Sequence, residues 1–507
     1  MAFVVLPDGP CHTLRKLGNT TRSFWRTLRR GLRLLTMFPD TYASIAQIRR
    51  CSPSAAAFVF ACVAATSLYA QQTPLTVGQA VEQALGKYPG VRVSLEQAAA
   101  AAQGVNLART AYLPRADFLA QINRATRNNV FGLLLPQSAI PSMSGPVLGT
   151  NDLTNVWGTA AGVLVSWEPF DFGLRRANVE AASASRVRSE TALAVTRLQV
   201  SAVAADAFLT LLAAQQTVAA ARAAVERARV LDQVVGAQAQ SGLRPGADAA
   251  RARAELAFAQ TQLIQAEQAT DVARAGLADI MAVPSAQVAV EPGPLLALPK
   301  ELPTGGAPLA NHPLAQQQKA VVGEIKARER TLDSTYYPRF VLQGSIYGRG
   351  SGAHTDGTTG GAFAGMSPNI QNWALGMTVV FPALEFTAIR ARKQIEYHTE
   401  MSAAAQYDRI VQDLEGQLEK TQAMLAGSQR IAQYTPIQLE AARTAQQQAT
   451  ARYRSGLGNI VEVADAQRLL TQAEIDDSLA RLGVWRALLA TAAARGDLGP
   501  FLQLAAN

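Results

Sequence analysis

Cysteine is almost missing from this sequence: 3 in 507 residues, at Cys11, Cys51 and Cys62, all near the amino terminus. A disulfide framework or a thiol-based site beyond residue 62 is thereby excluded. Aromatics are scarce at 6% and charged residues at 17%, a composition that suits long, closely packed Ala- and Gln-rich helices better than a bulky globular core. Histidine is equally sparse. His312, His354 and His398 are scattered, with no i, i+4 pair, so neither a metal centre nor a catalytic triad is expected, and no cofactor. The glycines of 344–365 lack a following Lys-Ser/Thr and make no phosphate cradle. Beyond residue 70 no uninterrupted apolar run reaches about 18 residues, so a membrane crossing by a helix is not expected and would have to use strands.

The net charge of +9 also misleads. Residues 1–70 hold nine Lys/Arg against Asp8 and Asp40, so without them the charge falls to about +2 and nothing favours a nucleic-acid partner. Arg49-Arg50, a short apolar run and small residues up to Ala70 have the layout of a secretory signal, which implies export. Met37 offers an alternative start closer to that signal. Cleavage is expected after Ala70; the alternative, lipidation at Cys62, is disfavoured because Phe60 fits the required box poorly.

What is present is a duplication. Lys87-Tyr88-Pro89 opens a helical stretch that ends at Tyr112-Leu113-Pro114-Arg115; Asn311-His312-Pro313 opens one that ends at Tyr336-Tyr337-Pro338-Arg339, displaced by 224 residues. Asp171-Phe172 matches Glu385-Phe386, and Ser241-Gly242-Leu243 matches Ser455-Gly456-Leu457, both displaced by 214. The change in offset falls between a segment rich in Asn, Pro, Ser and Gly, Asn128–Asn155, and a shorter Gly-rich one, Gly350–Asn372, as expected of loops of unequal length. The first repeat is set at 71–295 and the second at 296–507, after an extension and signal over 1–70.

Strand-like alternation flanks each loop. Phe118, Ala120 and Ile122 alternate with Asp117, Gln121 and Asn123, and Trp373, Leu375, Met377 and Val379 alternate with Ala374, Gly376 and Thr378. Hairpins are predicted over 116–169 and 339–382, their strands about ten residues long, enough for a tilted bilayer crossing. Trp157 and Trp373, at corresponding positions of the returning strands, are candidates for an interfacial aromatic belt. Helices follow, at about 172–239 and 387–454, each of roughly 100 Å, with Pro436 expected to kink or break the second. Both meet a Gly turn and return as helices over about 247–281 and 460–494. Asp171 and Glu385 are read as caps.

Four strands cannot close a membrane barrel, so strands that span must be completed by other copies: a dimer gives eight strands, a trimer twelve. The doubled Tyr-x-Pro-Arg segments, Pro169-Phe-Asp-Phe-Gly173 and the turn from Tyr453 to Asp465 resemble the TolC-type outer-membrane efflux family over nearly all of 71–496. The resemblance selects the trimer and implies an α+β membrane fold: a 12-stranded barrel continued by a helical tunnel through the periplasm. It implies no enzyme but a passive export channel for small molecules or polypeptides, working with a periplasmic adaptor and an inner-membrane pump of RND, ABC or MFS type, with outer-membrane lipid around the strands. The competing reading from another class is a periplasmic coiled-coil adaptor or scaffold without a pore.

The resemblance also carries roles to individual residues. Glu462 and Asp465 fall on the acids of the closed tip's constriction, with Asp248 as the counterpart of Glu462 in the first repeat; three copies would attract cations. The competing reading is that acids in a first helical turn are stabilising anyway. Tyr453 matches a family gate residue, but the arginine the family often has two residues after the turn glycine is Gly458 here, so Arg244 or Arg251 is expected to hold the tip instead. Ser241, Gly242 and Leu243, with Ser455, Gly456 and Leu457, resemble the tip that meets the adaptor.

Overall fold

In the computed structural model, residues 74–128, 153–299 and 308–506 are described. The proposed signal and extension over 1–70 and most of the first loop lie outside them. Helix α1 (Val77–Lys87) starts with a capping box in which Thr76 and Gln79 satisfy each other's backbone N–H groups. After α2 (Pro89–Thr110) come β1 (Arg115–Thr126) and β2 (Asn155–Phe170), then α3 (Leu174–Gln240) and α4 (Gly246–Met281). The second repeat follows the same order: α5 (Pro313–Ser334), β3 (Arg339–Ser351), β4 (Ile370–Val380), α6 (Phe386–Arg454) and α7 (Ile460–Arg495), ending with α8 (Gly499–Ala506).

At 67 and 69 residues, α3 and α6 each extend about 100 Å. Helices of that length need packing along their sides rather than propensity alone. Helix α3 supplies most of it, lying against α1, α2, α4, α5 and α7, while α6 lies along α7 and α5. The main core sits midway along these helices, where Phe208, Leu209, Leu211 and Leu212 of α3 meet Val77 and Val81 of α1, Met281 of α4, Trp485 of α7 and Phe501 of α8. Trp485 Nε1 donates to the Ala297 carbonyl at 2.8 Å, fixing the segment that joins the repeats.

One sequence expectation, a break at Pro436, needs correction. Helix α6 runs through Pro436 without a break. An interior proline costs about 3 kcal/mol, but α6 is held along α7, and the Thr435 hydroxyl next to it donates to buried Asp477 of α7 at 3.2 Å. In addition, α3 is long and apolar enough by composition to pass for a membrane span. Its apolar residues are broken by polar ones such as Gln199 and Asp206, and Leu209, Leu211 and Leu212 face the protein's own core.

The four strands form one antiparallel sheet in the order β1-β2-β3-β4. Its register aligns Phe118, Val163, Ile346 and Trp373 in a single row across all four strands.

Candidate functional site

The alternation along each strand decides which side chains share a face, and here the sheet is inside out by the standard of a soluble hairpin. Phe118, Ile346 and Trp373 are 74%, 74% and 77% exposed, and Leu375 and Met377 stand out beside them. On the opposite face Gln343 and Ser345 are buried, and Asp117, Gln121, Asn123, Asn372 and Thr378 are half-buried. Leu164 and Tyr347 are buried among these polar groups, so the inner face is mixed; an apolar outer face over a more polar inner one is the pattern of a strand wall between lipid and an aqueous lumen.

Trp157 and Trp373 lie on the same face of that wall, near the ends of β2 and β4 that follow the loops. Trp373 aligns through Ile346 with Val163, six residues along β2 from Trp157, and Trp157 stacks under Arg124 at 5.1 Å. An aromatic collar that the alternation did not reveal lies at the other end of the sheet. Phe172 stacks on Tyr337 at 5.6 Å, Tyr336 on Phe386 at 5.9 Å, and Phe381 meets Phe386 edge-on. Phe172, Tyr336, Tyr337 and Phe381 sit in turns and connections and Phe386 opens α6, all outside the strands' alternation; their signal was the recurrence of aromatics at matching points of the two repeats.

Asp171 anchors the collar to α3. Its carboxylate accepts from the Gly173 and Arg175 amides and from Arg175 Nε, although Gly173 holds the cap position itself. Burial works against ionisation of Asp171, but these bonds outweigh it and hold its pKa below the usual carboxylate value. Arg175 lies 4.8 Å over the Tyr112 ring. Glu385 occupies the corresponding cap position of α6 without a side-chain bond.

At the far ends of the long helices are two matched turns. Gly242 and Gly456 take left-handed backbone conformations, φ +73° and +77°, which glycine adopts without steric cost. The following amides, of Leu243 and Leu457, bond back to Gln238 and Arg452 at 2.9 Å, closing each helix with a Schellman-type turn. In such turns the residue after the glycine commonly packs back on its helix; here Leu243 and Leu457 are 75% and 74% exposed. Ser241 and Ser455 bond back to Ala237 and Ala451.

Between the turns, Tyr453 is buried among Leu231, Val235, Ala252, Ile460 and Val463, a small core drawn from all four helices. Burial and the charge of Asp248 raise its pKa, against the opposing effect of Arg244. Arg244 reaches Tyr453 and Arg251 is exposed. Glu462 and Asp465 are exposed on α7 and Asp248 is half-exposed on α4. Asn459 caps α7 by accepting the Glu462 amide, so the cap does not need the Glu462 carboxylate. That carboxylate lies 4.0 Å from Arg452. A Cβ on Gly458 would meet Arg452, Glu462 and Tyr453 atoms at 3.3 Å each, leaving little room for a side chain there.

Sequence reading missed a series of arginine links between the two repeats. Arg468 binds Glu255, Arg227 binds Glu474 and Thr471, and Arg486 binds Asp206 and Thr210. Their partners are separated by more than two hundred residues, beyond the reach of any local pattern. Buried His312 caps α5: Nδ1 accepts from Leu314, so Nε2 donates to the Ala493 carbonyl. Among the described residues no group of three or more His, Cys, Asp or Glu is placed to hold a metal ion.

These features agree with what known proteins show. Residues 80–283 and 307–497 match the model of the family described as outer membrane efflux protein. The pyoverdine export outer membrane protein OpmQ of Pseudomonas putida is 26% identical over 316 residues, which span 61% of this chain and 64% of that protein, just under two thirds of its length. The fold is similar to that of the outer-membrane channel OprN, with TM-score 0.67 and 22% identity over 83% of this chain and 89% of that one. It is also similar to the Campylobacter jejuni CmeC outer membrane channel, with TM-score 0.66 and 15% identity over 83% and 85%. Matched across both of its repeats, the chain belongs to the outer membrane efflux protein family.

Proposed function

We propose that three copies of this chain close a twelve-stranded barrel in the outer membrane, and that the long helices continue it as a duct through which an inner-membrane pump exports its cargo. The observation that supports this best is the inverted sheet. Its apolar side chains face outward, and among the described residues β1 and β4 each pair on one side only. Open strand edges in lipid are costly, and closure by further copies removes them. A periplasmic scaffold without a pore has no use for such a sheet, which is what separates the two readings.

In this reading Glu462, Asp465 and Asp248 ring the narrow end of the duct, and the exposed Leu243 and Leu457 meet a periplasmic adaptor. The duct does no chemistry of its own, and the pump chooses the cargo, whether small molecules, as the name of OpmQ indicates for that relative, or secreted polypeptides. The test is extraction of the mature protein from outer membranes. SDS-resistant, heat-modifiable trimers that conduct ions in planar bilayers are expected; a soluble, non-conducting periplasmic species would end the proposal.

A further inference from the structure

The family resemblance leaves Gly458 where a locking arginine often stands, yet the tip is well packed. Arg244, in the turn of the opposite repeat, donates from Nη2 to the Tyr453 carbonyl at 2.9 Å and lies 4.6 Å over the Tyr453 ring. Tyr453 is 2% exposed, and its hydroxyl is buried with no hydrogen-bond partner among the described residues. The ring and the main chain, not the hydroxyl, are therefore what Arg244 holds.

We propose that Arg244 is a latch, a positioning residue that fastens the second-repeat tip to the first and keeps the narrow end shut without an arginine at position 458. The proposal rests on reading the tip as the closed end of the duct. A planar guanidinium suits both contacts at once, stacking on an aromatic face while a side N–H reaches a carbonyl. The held ring fills the centre of the Leu231, Val235, Ala252, Ile460 and Val463 core, so moving it opens the contact among all four helices. Position matters as well. Exposed Leu243 immediately precedes Arg244, and the Leu457 amide is bonded to Arg452, the neighbour of Tyr453. A partner seated on the two leucines therefore pulls on both halves of the latch.

The experiment compares wild-type trimer with Arg244→Ala, Arg244→Lys and Tyr453→Phe, first checking that each is an SDS-resistant trimer. Two quantities are read: amide hydrogen exchange in the 446–463 segment and single-channel conductance without adaptor. Arg244→Ala should raise exchange at the tip about ten-fold, the size expected for losing a desolvated cation–π and hydrogen-bonded contact, and should raise mean conductance several-fold. Arg244→Lys should fall between, keeping the charge but not the fork. Tyr453→Phe should stay protected and closed, because the hydroxyl has no partner among the described residues. Unchanged exchange in Arg244→Ala, or opening in Tyr453→Phe, overturns the latch. Raised exchange with unchanged conductance upholds the latch and overturns instead the reading of this tip as the constriction.

Discussion

Arg468 grips Glu255 through two of its nitrogens, Nη2 at 2.8 Å and Nε at 3.1 Å, and joins α7 to α4 across the two repeats. The guanidinium also lies 5.3 Å over the Phe258 ring. The Glu255 side chain is only 11% exposed, whereas that of Arg468 is 52% exposed. The carboxylate therefore depends on its partner more than the arginine does.

Arg468→Ala should accordingly destabilise the helical region by about 1–3 kcal/mol, well above the cost of a surface pair, because it leaves a nearly buried carboxylate uncompensated. Glu255→Gln, which retains an acceptor, should cost less. Thermal unfolding of the purified assembly measures both; equal losses for the two variants would mean that the pair acts as an ordinary surface bridge.

Glu324 predicts a pH dependence. Burial disfavours its charge, but bonds from Arg188 at 3.0 Å and from Arg328 outweigh that and hold its pKa below the usual glutamate range. A carboxylate with a depressed folded pKa gives stability that is complete above its unfolded pKa and is lost as pH falls through the folded one. The link between α3 and α5 should thus hold at neutral pH and weaken only as pH falls below the ordinary glutamate pKa, about 4.3. Glu324→Gln should flatten the acid limb of a pH–stability curve; a limb identical to wild type would assign the acid sensitivity elsewhere.

Glu462 and Asp465, three residues apart on one face of α7, are exposed. If, as proposed, they ring the narrow end of the duct, replacing both with Ala removes six carboxylates per trimer and should reduce the cation-to-anion permeability ratio several-fold in single-channel recordings. An unaltered ratio would take the acids out of the constriction.

Much of this was legible in the residues because the forces that set it are local. The period of the apolar positions and the Gly turns predicted long helices over about 172–239 and 387–454, and they occupy Leu174–Gln240 and Phe386–Arg454. Period-two alternation located the hairpins, and the duplication located both tips. Local signals failed where tertiary packing outweighed them. Pro436 should interrupt a free helix, but a helix braced along its length by α7 continues through it. Cross-strand register likewise, which sets Trp373 opposite Ile346, is carried by no local pattern.

By itself the sequence determined the repeated order of helix, hairpin and helical hairpin, since periodicity, turn glycines and composition act within a few residues of one another. Only the tertiary structure decided that the sheet turns its apolar face outward, that Arg468 meets Glu255, and that Arg244 rather than Arg251 reaches Tyr453. Those outcomes depend on which surfaces meet when residues some two hundred positions apart are brought together, and a side chain's partner across such a gap leaves no periodic trace in the chain.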